Sequence, residues 1–216
     1  KEREYVAGFL EKQLSSNMMI RYLLLFDEFI GPLKPVEEIQ GDEFPSVQDS
    51  VKILNICNQI NRTLNRGQKT IVLIRLYELV NSSGKSTPRR LKIISIVADV
   101  FKIVPDEIKS IEEFALSGES DNIHDPHILV LHPGKTVCEL CNKMHEGYID
   151  TTIFFLRVTS VDLYFIRYFG NEQLQLNGVP VAAKLVHSFP KGSSLRLPNR
   201  KPFYYSDVST RFLSET

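Results

Sequence analysis

The stretch Val161-Asp162-Leu163-Tyr164-Phe165-Ile166-Arg167-Tyr168-Phe169-Gly170 decides how the C-terminal half of this chain is read. It is dense in aromatic and β-branched residues and stops at a glycine, which is strand composition. Three further runs follow it: Leu174-Gln175-Leu176-Asn177-Gly178, Gly192-Ser193-Ser194-Leu195-Arg196 and Phe203-Tyr204-Tyr205-Ser206-Asp207-Val208. Asn-Gly, Pro and Gly punctuate them, so the tract predicts successive β-strands. Upstream, Ile128-Leu129-Val130-Leu131 and Thr152-Ile153-Phe154-Phe155-Leu156 extend the series.

The first half carries helical periodicity instead. Tyr5, Phe9, Leu10 and Leu14 fall on one stripe, and Ile20, Leu23, Leu24, Phe26 and Ile30 on a second that Gly31-Pro32 ends. Residues 31–46 read as a loop. Ser46 then caps a helix whose expected inward face is Val47, Val51, Leu54, Cys57, Ile60 and Leu64. Periodicity leaves both buried helix and strand open for the run Ile71 to Val80, broken only by Arg75 and Glu78. Its length and the helices on either side favour a central helix buried on most faces. Thr87-Pro88 supplies an N-cap and a first helical position, and Leu91, Ile94, Val97, Val100 and Phe101 the buried face. Pro105-Asp106-Glu107 opens another helix with acids at its positive end.

Composition shifts at Ser117-Gly118-Glu119-Ser120-Asp121-Asn122. Helices followed by strands predict an α+β chain: an all-α bundle over 1–120 and a β-sandwich over 121–216.

The 216 residues carry 26 basic and 26 acidic side chains, which argues against a general electrostatic grip on nucleic acid or anionic lipid. No apolar run approaches the ~20 residues that cross a bilayer, so direct membrane insertion is not expected. Three cysteines, unlike a disulfide framework in spacing, indicate a reducing, cytoplasmic compartment. The chain begins with Lys1 and enters helical patterning at once, as expected for a piece of a longer protein.

Cys138-Glu139-Leu140-Cys141, with His145 four residues on and His132 six before, has ligand spacing for one zinc ion. A second close ligand pair is missing, and two free thiols in a loop are the simpler reading. His127 and His132 are an odd number of positions apart and face opposite sides of a regular strand. Gly84-Lys85-Ser86 lacks the earlier glycine of a phosphate loop, because Leu79 stands there. Ser193 and Ser194 sit in no nucleophile elbow. Lys85, Arg89, Arg90 and Lys92 form a basic helix start that opposes the helix dipole. Neither a catalytic set nor a cofactor is expected.

Two resemblances go further. The run Gln68-Lys69-Thr70-Ile71-Val72-Leu73 to Val80, with Ala98-Asp99-Val100-Phe101-Lys102-Ile103, is similar to TerB-like helical bundles. Their acidic metal-linked turn is replaced here by Asn81 to Thr87, without a carboxylate. Asn177-Gly178-Val179-Pro180-Val181, Phe189 and Gly192 to Arg196 resemble the late half of a forkhead-associated (FHA) sandwich, without its Ser-x-x-His phosphate reader. The combination, ending in Tyr204-Tyr205-Ser206-Asp207-Val208, resembles the cytoplasmic N-terminal region of a bacterial ABC transporter family.

That resemblance implies a non-catalytic accessory or regulatory region. Its partners would be its own downstream ATPase and transmembrane domains, or another protein. The expected contact surface is the β-domain edge and the tract containing Tyr204 and Tyr205. An alternative is a peptide or phosphopeptide module with an anion pocket of Arg167, Ser193 and Arg196. Another is a zinc protein using Cys138, Cys141, His145 and His132.

Overall fold

Strands β2 (Thr152–Val158) and β3 (Leu163–Phe169) bury both of their faces, and the rest of the chain is arranged around them. The computed structural model describes residues 47–82, 87–119, 123–131 and 151–214. The expected helices over residues 5–30, their following loop and the Ser46 cap lie outside the described residues.

Alternation along a strand sends successive side chains to opposite faces. Phe154, Leu156, Val158, Phe165 and Phe169 point into a core shared with helices. Ile153, Phe155, Tyr164, Ile166 and Tyr168 point the other way, into a core shared with a second sheet. The antiparallel register matches these sets, with Leu156 opposite Phe165 and Phe155 opposite Ile166. The near-continuous hydrophobic composition of the two strands follows from having no solvent face.

Helices α1 (Val47–Thr63), α2 (Arg66–Ser82), α3 (Pro88–Phe101) and α4 (Pro105–Leu116) form the first layer. The central position of α2 is as expected: none of residues 67–81 is exposed, and it packs on both α3 and α4. A reciprocal capping box starts it. Asn65 N–H donates to Gln68 Oε1 at 3.0 Å, and Gln68 N–H donates to Asn65 Oδ1 at 2.9 Å. Thr87 and Pro88 open α3 as anticipated, the Thr87 hydroxyl accepting from Arg90 N–H. The inward face of α1 differs from expectation. Ile53, Cys57 and Leu64 are buried, whereas Val51 and Leu54 are exposed, because the helix turns its Ile53–Cys57 side toward α3.

The middle sheet has the order β1-β2-β3-β6, with β1 spanning Ile128–Leu131 and β6 spanning Val186–Ser188. The outer sheet has the order β5-β4-β7-β8: β4 is Gln175–Leu176, β5 Val179–Pro180, β7 Ser194–Arg196 and β8 Phe203–Tyr204. Helix-rich and strand-rich segments therefore make an α+β structure. One buried cluster contains residues from α1 to α4 together with β1, β2, β3 and β6.

Two corrections concern the strand tract. Val161 belongs to a 3-10 turn, Thr159–Val161, and β3 starts only after Asp162 in a left-handed conformation (φ 50°). Phe203 to Val208 is not one strand. β8 ends at Tyr204 and helix α5 (Tyr205–Ser214) follows. Asp207 turns the chain, its Oδ2 accepting from Tyr204 N–H at 2.8 Å, which satisfies a donor that a helix start leaves open. Val208 and Phe212 then bury one side of α5 in the outer core.

Polar groups join the helical layer to the middle sheet. Arg167, only 5% exposed, donates from Nη1 to the carbonyls of Phe114 (3.1 Å) and Ser117 (2.6 Å) at the end of α4. Its Nε donates to Lys184 O. Glu107 on α4 accepts from the N–H and the hydroxyl of Ser160, both at 2.7 Å. On α2, Glu78 accepts from Val186 N–H at 2.6 Å while Arg75 donates to Val186 O at 2.7 Å. That ion pair meets both backbone groups of an edge-strand residue, as a neighbouring strand would.

Arg167→Leu is expected to cost about 3 kcal/mol, because it strands buried carbonyls with no donor. Urea unfolding measures this, and a midpoint unchanged from wild type contradicts the role. Gly170→Ala is expected to cost about 1–3 kcal/mol by overpacking. A Cβ there would lie 2.5 Å from Tyr168 Oη and 2.8 Å from Thr151 Cγ2. The same titration reads it.

Candidate functional site

The Asn177-Gly178 turn builds the frame of the site. Both residues have positive φ, 52° and 81°, which suits a two-residue hairpin between β4 and β5. The asparagine also ties β4 to β7. Its Oδ1 accepts from Ser194 N–H at 2.9 Å, its N–H donates to Ser194 O, and its Nδ2 donates to the Ser193 hydroxyl at 3.2 Å. With Leu176 held opposite Leu195, Gln175 comes to lie opposite Arg196.

The β7–β8 connection and the start of β4 together line an open groove of about 680 Å³. Arg196, Arg200 and Lys201 line it together with Gln173, Gln175 and Asn199, and no carboxylate is among its lining residues. Pro198 and Pro202 fix the backbone of the connection, and Asn199 adopts the left-handed conformation (φ 56°) that asparagine tolerates. Beside the groove, Glu172 Oε1 stands 3.9 Å from Arg200, a loose and partly exposed pair. Tyr168 places that glutamate by donating its hydroxyl to Glu172 O at 2.6 Å.

The residues expected to form an anion pocket do not converge. Arg196 is exposed on the groove. Ser193 is buried beneath Asn177. Arg167 belongs to the middle sheet, where its guanidinium is bonded to helix α4 and stacks 4.8 Å from the Phe169 ring. Arg200 and Lys201 join Arg196 instead. The signal for both in the sequence is three cations within six residues, Arg196, Arg200 and Lys201, around Pro198 and Pro202.

The two tyrosines also part. Tyr204 is 50% exposed. Tyr205 is half-buried, its ring 4.9 Å from that of Tyr164 and 5.7 Å from that of Phe189. Burial pushes its hydroxyl up to about 12, with further contributions from Tyr164 and Asp162.

Cys138, Cys141, His145 and His132 lie outside the described residues, as do Gly84, Lys85 and Ser86. Among the described residues, no group of three or more His, Cys, Asp or Glu side chains could hold a metal ion. His127 is part of a turn, its N–H donating to Asp125 Oδ1 at 2.7 Å, and His124 is exposed. Cys57 is buried between helices, which pushes its thiol up to about 11 and makes it a poor nucleophile. Among the described residues, no helix is long and apolar enough to cross a membrane.

Comparison with protein-family models, curated proteins and solved structures found no match.

Burial raises Cys57 from 9.0 and Tyr205 from 10.0, so both hold their protons more tightly folded than unfolded. The contribution is full below the unfolded values and is lost as pH rises through the folded ones. Stability is therefore expected to fall as pH increases from about 9 toward 12. Thermal unfolding across that range checks it, and a melting temperature that rises with pH there contradicts it.

Proposed function

We propose that this chain is a non-catalytic interaction and regulatory region of an ABC transporter, acting beside the ATPase domain on the cytoplasmic face. The resemblance carried by Val161 to Gly170, Leu176-Asn177-Gly178 and Tyr204 to Val208 supports the reading. One structural observation gives it a surface: the groove is open and lined by three cations, Arg196, Arg200 and Lys201, which suits contact with a partner of opposite charge. Elsewhere the buried charges Arg167, Glu78 and Glu107 are bonded to backbone groups that hold the layers together. They serve cohesion and do not gather around a reacting centre.

Such a region acts by touching one conformation of its partner more favourably than another. Helix α5 is suited to transmit that preference. Asp207 caps its start, Val208 and Phe212 anchor it to the outer core, and Leu213 on its other side is 62% exposed. Exposed Tyr204 lies at its entry and offers an amphipathic contact.

Two measurements test the reading. The coding sequence beyond Thr216 is expected to encode a phosphate-binding loop within roughly one domain length, about 100–150 residues. A stop codon directly after Thr216 overturns it. In the encoded protein, Tyr204→Ala is expected to change ATP hydrolysis by severalfold while leaving the melting temperature of this region intact, because the side chain is exposed. Wild-type hydrolysis in that variant rejects Tyr204 as a contact.

A further inference from the structure

We propose that the groove between β4 and the β7–β8 connection binds an acidic, extended protein segment. This rests on reading the chain as an interaction region and supplies the chemistry of its partner. The chain as a whole is electrically balanced, with 26 basic and 26 acidic side chains. Three cations lining one concavity without a lining carboxylate are therefore a local departure, and the partner that complements them is anionic.

The form of the site selects among anions. Arg196 and Lys201 are exposed on an open surface, so a small free anion would find competing water on most sides. A segment with several carboxylates engages all three cations at once, and joining the contacts in one ligand makes weak pairs add up. The lining residues include no aromatic ring, so the stacking platform on which single-stranded nucleic acid depends is missing here. The amides of Gln173, Gln175 and Asn199 offer both donors and acceptors, which suits a peptide backbone. Pro198 and Pro202 fix φ at two positions of the connection, which lowers the cost of organising it on docking.

Glu172 is the internal rival. Its Oε1 is 3.9 Å from Arg200, longer than a direct hydrogen bond, with the arginine side chain 23% and the glutamate 38% exposed. An incoming carboxylate that takes the guanidinium displaces this contact. Neutralising Glu172 therefore strengthens binding.

Fluorescence anisotropy tests this, using the chain and a fluorescein-labelled twelve-residue peptide rich in Glu and Asp. Binding is expected at low salt and should weaken about tenfold as salt rises into the physiological range. Arg196→Glu with Lys201→Glu should weaken it at least about tenfold, and Glu172→Gln should tighten it about threefold. Both altered cations are exposed, and circular dichroism checks that the variant folds. No binding at about 1 mM peptide, or equal binding by the charge-reversed variant, overturns the proposal. So does tighter binding of oligothymidylate, or of a phosphothreonine peptide with neutral flanks. These outcomes are independent of what is encoded beyond Thr216, so either reading can fail alone.

Discussion

The structure depends on a charge placed where a strand has no solvent face. Arg167 sits on β3 opposite Phe154, on the side that looks into the helices. Desolvating a guanidinium is costly, and a chain keeps one there only where its donors are met. They are met by the last carbonyls of α4, which carry the negative end of the helix dipole, and by Lys184 O in the approach to β6. One side chain thereby fixes the end of a helix, the centre of a sheet and the approach to its edge strand. The Phe169 ring beneath the guanidinium adds a cation–π contact.

Two other polar junctions repeat the logic. Glu107 fastens the start of α4 to the 3-10 turn between β2 and β3, so both ends of that helix are pinned to the same sheet. Arg75 and Glu78 close the edge at Val186 from α2. Apolar burial gives the layers their adhesion but not their register, since hydrophobic contact is non-directional. These directional bonds select one setting of the helices against the strands. Glu107 thus does more than complement the helix dipole, the role its position alone suggests.

How much of this the sequence discloses varies with how local the deciding physics is. The Thr87-Pro88 start and the Asn177-Gly178 hairpin are legible because each is settled within a few residues, whereas α2 follows from the length of its apolar run and the helices beside it. The fate of Val51 and Leu54 is not legible, because periodicity marks an apolar stripe but not which edge of it meets α3. The aromatic opening of Phe203 to Val208 suggests strand throughout, although Tyr205, Val208 and Phe212 fall at helical spacing. There a capping aspartate outweighed β-propensity. The role of Arg167 is also hidden, since its partners in the helical layer, Phe114 and Ser117, lie about fifty residues upstream.

The groove shows the same limit at the level of function. A positively charged side chain in a sequence carries no information about its neighbours until strand pairing is known. Arg196 reaches Gln175 only through the pairing of β4 with β7, which Asn177 holds by bonding Ser194 and Ser193. The asparagine of a turn thus governs a surface it does not line. Ser193 has a related task, since its carbonyl accepts from Tyr205 N–H and joins β7 to the start of α5. The groove and the exposed Tyr204 therefore hang on one backbone frame. The pairing of Ser194 with Tyr204 and of Leu195 with Phe203 joins the two through β7 and β8 without crossing the core.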